Sequence, residues 1–168
     1  AALADAGAGS CGGELFQASR VESSFLIVLD RSCSMKDPVG GVTKLDAANN
    51  AVRAVATRYD DRLRFGLESF PGLAAMCAAG TLEAPVADRN AAAVTAALPT
   101  QWIFNGTPLG ASLAVAKAVP ALADGNRANN VLLITDGMEN CSGSPVQEVK
   151  DLRGRGVKTY VVGFGAEV

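Results

Sequence analysis

The chain has no histidine among its 168 residues, which removes the imidazole as base, proton shuttle or metal ligand. Any metal must therefore be held by oxygen or thiolate. The four cysteines, Cys11, Cys33, Cys77 and Cys141, include no C-x-x-C pair, which argues against a zinc ribbon or a thioredoxin-like dithiol. No run of Lys or Arg could track a phosphate backbone, and the net charge is −2, so nucleic acid is not an expected partner. The longest apolar stretches, such as FLIVL and VLLI, are strand-sized, far short of the ~20 residues of a membrane-spanning helix. No membrane span is expected.

What is present points to a globular, buried-sheet protein. Apolar residues make up 49% of the chain and charged residues 19%, and a chain of this length holds one well-buried core rather than two. The opening AALADAGAGSCGG lacks a basic start and a continuous apolar core, so it reads as a linker rather than a secretion signal. Residues 1–20 are thus expected to form an extended linker and residues 21–168 a single domain. An even cysteine count suits two disulfides in an oxidising compartment.

Residues 25–30 form a continuous apolar run ending in Asp30, the pattern of a central parallel strand covered on both faces. Leu45, Ala48, Val52, Val55, Ala56 and Tyr59 recur at helical spacing after Thr43, a suitable N-cap. Residues 63–69 read as a second strand before Pro71-Gly72, and 81–86 as a short edge strand. Helices are expected over 88–98, from Pro108 to about residue 123, and from Ser144-Pro145, whose Gln147 suggests a capping box, to about residue 153. Strands are expected over 130–135 and 157–164. This alternation predicts an α/β domain with a mostly parallel sheet and helices on both faces.

In such sheets ligands sit beyond the carboxyl ends of strands, near the point where strand order reverses. Asp30 and Asp136 both end strands. Ser32 and Ser34 follow Asp30 at alternate positions, so a loop leaving the strand can aim all three side chains at one point. Thr107, in FNGTPLG, stands in a loop able to reach the same edge. Two carboxylates and three hydroxyls make a hard, oxygen-only set that suits Mg²⁺, with Mn²⁺ or Ca²⁺ as alternatives. The competing reading makes Asp30 and Asp136 loop caps and Thr107 an N-cap, but it must account for five coincidences at once. An Asp30-nucleophile phosphatase needs a second carboxylate two residues on, where Ser32 stands. Ser32 as a nucleophile lacks a base, and no enzyme activity is expected.

The constellation resembles the metal-ion-dependent adhesion site (MIDAS) of the von Willebrand factor type A (VWA) family: D-x-S-x-S, then a distant T, then a distant D. The resemblance extends over residues 25–164 through FLIVLDRSCSM, GTPLGASL, LLITDG and YVVGFG. It implies a Rossmann-like sheet and a metal-dependent protein-binding or adhesion domain of bacterial type. Its cation would be held by Asp30, Ser32, Ser34, Thr107 and Asp136 and would capture an acidic group of a protein partner. A secreted, periplasmic or cell-surface location goes with this reading. The alternative is an intracellular VWA assembly module of a chelatase or ATPase complex.

The resemblance also sets expectations for the departures. Asp37 matches the first acid of a neighbouring Ca²⁺ site in integrin β subunits, but Pro38 replaces the second, which argues against a second ion. Cys33 stands where the family usually has Gly. The leading disulfide pairing is Cys77 with Cys141 and Cys11 with Cys33, and Cys33 with Cys141 is its rival. Trp102 and Phe104 are expected to cover the core beneath their loop rather than to flank the site as exposed anchors. The family usually continues after YVVGFG, so the fold is expected to lack its last helix and strand. That would leave the 157–164 strand with an unpaired edge open to association.

Overall fold

Apolar residues that cannot face water on either side form the middle of the sheet. In the computed structural model, which describes residues 22–164, strand β1 (Ser23–Asp30) is buried from Leu26 through Asp30. It pairs in parallel with β4 (Leu63–Phe70) on one side and β6 (Ala128–Thr135) on the other. Strand β7 (Lys158–Gly163) extends the sheet in parallel beyond β6. At the opposite edge β5 (Thr81–Ala87) runs antiparallel to β4 with an irregular register. The order is β5-β4-β1-β6-β7. Strand order therefore reverses at β1, with Asp30 on one side of the reversal and Asp136, one residue past β6, on the other.

Alternate β1 residues feed two cores. Ile27 and Leu29 pack with Leu45, Ala48 and Val52 of helix α1 (Lys44–Arg58) and Val94 of α2 (Ala91–Ala96). Leu26 and Val28 pack with Leu109 and Leu113 of α3 (Leu109–Lys117) and Leu152 of α4 (Pro145–Gly154). Leu26 and Leu29 are both 0% exposed, and truncating such a residue to Ala costs about 2–5 kcal/mol. Helices thus cover both faces, as the βα alternation predicts.

Several boundaries differ from the sequence reading for local reasons. Helix α2 starts only at Ala91 because Arg89 takes a left-handed φ of 49°, and the Ala91 amide donates to Asp60 Oδ1 at 2.8 Å. The helix expected to run to residue 123 ends at Lys117, and Pro120, which has no N–H to donate, opens a separate 3₁₀ turn, Pro120–Ala123. The Ser144–Gln147 capping box does not form. Ser144 is the N-cap but its side chain makes no capping bond, and Gln147 instead donates to Asp151 Oδ1. A two-stranded hairpin, β2 (Pro38–Val39) and β3 (Val42–Thr43), was not expected. Its turn residues Gly40 and Gly41 have φ of 57° and 89°, the geometry a tight two-residue hairpin demands.

β7 pairs only with β6 among the described residues, and Tyr160, Val161 and Val162 are exposed. No helix among the described residues is long and apolar enough to cross a membrane. The expected linker, residues 1–20, lies outside the described residues.

Candidate metal centre

The end of β1 delivers Asp30 fully buried, and its carboxylate is fixed by two donors. The Ser32 amide donates to Oδ1 at 2.7 Å and the Thr135 hydroxyl to Oδ2 at 2.5 Å. Burial pushes the Asp30 carboxyl above its ordinary range. The Thr135 and Ser32 hydrogen bonds oppose that shift, and the charge of Asp136 adds to it. Beyond Asp30 the chain enters a short 3₁₀ turn, Cys33–Lys36, whose N-cap is Ser32. This turn brings the Ser32 and Ser34 hydroxyls within 3.2 Å of each other. Ser34 then donates to Asp136 Oδ1 at 2.7 Å, a contact between residues 102 apart in sequence. Four of the five expected residues are thereby joined in one hydrogen-bonded cluster at the sheet's reversal point.

Thr107 comes to the same place by another route. Its amide donates to Asn140 Oδ1 at 2.6 Å, which ties it to the loop after Asp136. Together with Ser32 and Ser34 it lines an open cavity of about 450 Å³, whose other lining residues include Cys33, Met76, Cys77 and Phe104. Its hydroxyl makes no hydrogen bond to the other four residues among the described contacts. Nor does it cap α3: the N-cap is Pro108, which leaves the early amides to other acceptors, and Glu139 Oε2 accepts from Gly110 at 2.7 Å. The competing reading of Thr107 as a helix cap therefore fails, and its side chain is free for another task.

Besides Asn140, two contributors escaped sequence reasoning. Thr135, one position before Asp136, holds Asp30 from the neighbouring strand. Lys44 opens α1, where a cation opposes the helix dipole, and its ammonium lies 2.7 Å from Asp136 Oδ2 and 4.0 Å from Asp37 Oδ2. The side chain of Asp136 is 0% exposed, so Lys44 neutralises a carboxylate with no access to water. The misplaced cation at the helix start was the available signal. Asp37 itself is exposed beside Lys44.

Disulfide Cys77–Cys141 crosses the loops after β4 and β6, as the leading pairing expected, and it removes the rival Cys33–Cys141. Cys33 is half-buried and has no disulfide among the described residues, while Cys11 lies outside them. Trp102 and Phe104 overturn their expectation. They are 45% and 72% exposed, because the loop runs along the cavity rim with Ile103 bridging to Ser32 and turns their side chains outward. No three His, Cys, Asp or Glu side chains converge on a metal-binding geometry among the described residues. The present cluster would take only two of its five oxygens from acids.

The sequence profile of the von Willebrand factor type A domain matches residues 25–139. The chain belongs to that family. VWA domains commonly mediate protein–protein interaction and often bind a metal at the MIDAS. The chain is 28% identical over 166 residues to the uncharacterized protein YwmD of Bacillus subtilis, covering 89% of this chain and 71% of YwmD. Among solved structures, BatB from Bacteroides thetaiotaomicron superposes with a TM-score of 0.67 at 23% identity, over 86% of this chain and 66% of BatB. A mussel byssus protein, proximal thread matrix protein 1 with a zinc-occupied MIDAS motif, superposes with a TM-score of 0.68 at 18% identity. That match covers 88% of this chain and 39% of the mussel chain. The structural matches establish the Rossmann-like VWA fold, and the chain spans just under two thirds of BatB and well under half of the mussel protein.

Proposed function

We propose that Asp30, Ser32, Ser34, Thr107 and Asp136 form an intact MIDAS that holds a divalent cation, Mg²⁺ first, with Mn²⁺ or Ca²⁺ as alternatives. Through it the domain binds a protein partner that presents a carboxylate. The observation that carries this reading is the Ser34–Asp136 hydrogen bond, which joins the β1 and β6 loops while Asp30 is held ready behind them. The donor set fits a hard cation: two carboxylates and three hydroxyls, with no nitrogen ligand nearby. With only two acids in that set, a bound cation keeps net positive charge and supplies an electrophilic position for the partner's carboxylate. This chain's residues supply the rest. Thr135 and the Ser32 amide orient Asp30, Lys44 balances Asp136, and Asn140 positions Thr107 at the cavity.

The reading is of a binding domain rather than an enzyme: the chain has no histidine, and the carboxylate that accepts from Ser34, Asp136, is assigned to the cation and paired with Lys44. The Cys77–Cys141 disulfide favours a secreted, periplasmic or cell-surface setting over the intracellular assembly module. Calorimetric titration of Mg²⁺, Mn²⁺ and Ca²⁺ into metal-stripped wild type and Asp30→Ala tests the proposal. Saturable binding that is lost in the variant is expected; equal binding by both proteins would overturn it.

A further inference from the structure

The cavity beside the candidate oxygens is lined by chemically different side chains. Ser32, Ser34 and Thr107 contribute hydroxyls, and Met76 and Phe104 contribute apolar surface. Met76 is 61% exposed and Phe104 72%. Single exposed apolar residues are ordinary on protein surfaces. These two share a cavity with the cation-binding hydroxyls, and both belong to loops held in place.

The fixing contacts are specific. The Cys77 amide donates to the Asn105 carbonyl at 2.8 Å, and Asn105 Nδ2 donates back to the Gly72 carbonyl at 2.9 Å, so the Met76 loop and the Phe104 loop are clasped to each other. The disulfide joins this pair to the loop that follows Asp136. Gly106, at φ 74°, packs so tightly on the bridge that a Cβ there would lie 2.6 Å from Cys141 Sγ. An apolar wall anchored in this way is organised before any ligand arrives, so little ordering entropy opposes its use. Its volume lies within the roughly 300–1,000 Å³ typical of ligand pockets, more than a carboxylate alone would fill.

Resting on the metal-binding reading above, we propose that this apolar part of the lining is a specificity subsite. The partner's carboxylate then belongs to a protein segment in which Asp or Glu stands beside a large aliphatic or aromatic residue, and Met76 and Phe104 receive that side chain. Charge complementarity selects the acid, and the apolar wall selects its neighbour. A phosphate-bearing ligand would find no Arg or Lys among the cavity's lining residues.

The test uses the Mg²⁺-loaded protein and two synthetic peptides of equal length, acetyl-Gly-Phe-Asp-Leu-Gly-amide and acetyl-Gly-Ser-Asp-Ser-Gly-amide, titrated by calorimetry with and without EDTA. The apolar peptide is expected to bind about 10- to 100-fold more tightly, the gain from burying one large apolar side chain, and EDTA is expected to abolish binding of both. In Met76→Ser/Phe104→Ser, which changes two exposed residues and leaves the core intact, the ratio between the two peptides is expected to collapse toward one. Equal, EDTA-sensitive binding of both peptides by wild type would overturn the subsite and leave the metal reading standing. An apolar preference that survives EDTA would overturn the proposed link between the wall and the cation. So would failure of both peptides to bind at millimolar concentration by a protein that takes up Mg²⁺.

Discussion

Lys44→Met should tighten Mg²⁺ binding and destabilise the metal-free protein at the same time. The variant keeps most of the apolar stem and removes only the charge. In the structure the ammonium lies 2.7 Å from Asp136 Oδ2, against a carboxylate side chain that is 0% exposed. At an effective dielectric near 20, that separation corresponds to a gross attraction of about 6 kcal/mol, most of which desolvation cancels. Without Lys44, metal-free Asp136 retains the Ser34 hydroxyl as its described partner, a loss of about 2–4 kcal/mol. For a domain of this size, the melting temperature should fall by roughly 5–15 °C. A divalent cation meets the opposite situation. Removing one positive charge shifts the carboxylate–lysine cluster from a net charge of −1 to −2, which in a half-solvated site is worth about 1.5–3 kcal/mol, or roughly 10- to 100-fold in affinity. Calorimetry with Mg²⁺ and thermal melts with and without saturating Mg²⁺ read both effects, and the added metal should recover much of the lost stability. An unchanged or weaker Mg²⁺ affinity together with an unchanged metal-free melting temperature would refute the claim that Lys44 stands in for cation charge at Asp136.

Glu68 is 0% exposed, its two carboxyl oxygens have no hydrogen-bond partner among the described residues, and desolvation pushes its pKa up to about 8. A raised folded pKa means the associated stability is fully present below about pH 4.5 and declines as the pH rises toward 8, because the unfolded chain ionises first. Glu68→Gln should therefore be more stable than wild type at pH 7 by about 2–3 kcal/mol and should have a flatter melting profile between pH 5 and 8; parallel profiles would contradict this. The Cys77–Cys141 bridge closes a segment with a sequence separation of 64. Its replacement by Cys77→Ser/Cys141→Ser should cost about 2–4 kcal/mol in denaturant unfolding, and an unchanged midpoint would show that the clasping hydrogen bonds suffice alone.

Legibility in the sequence followed the range of the physics. The run FLIVLD is a buried strand whatever surrounds it, and its terminal Asp30 announces the functional edge. Asp30 and Asp136 could be placed together because a parallel sheet gathers its strand ends at one edge, and the resemblance to D-x-S-x-S, T and D tied Ser32, Ser34 and Thr107 to them. Elements set by local conflicts were harder to read. Arg89 takes a left-handed backbone that delays α2, and Ser144 leaves its apparent capping box unformed. The Gly40-Gly41 hairpin is written in the sequence only as two consecutive glycines, because its strands are two residues each. Residues whose purpose depends on a distant partner were invisible individually. Thr135 matters because it faces Asp30 across a strand pair, and Lys44 matters because the α1 start lies against Asp136. Aromatic size alone suggests burial for Trp102 and Phe104, whereas the Ile103–Ser32 bridge holds their loop at the surface.

The central claim is that five oxygens from three separate segments hold one divalent cation, and anomalous diffraction from crystals soaked in Mn²⁺ tests it most directly. The account predicts a single strong peak between the Ser32 and Ser34 hydroxyls, with protein oxygens at roughly 2–2.5 Å and with Asp30, Thr107 and Asp136 bound directly or through water. A peak elsewhere on the molecule, or no peak at this position at millimolar Mn²⁺, would contradict it.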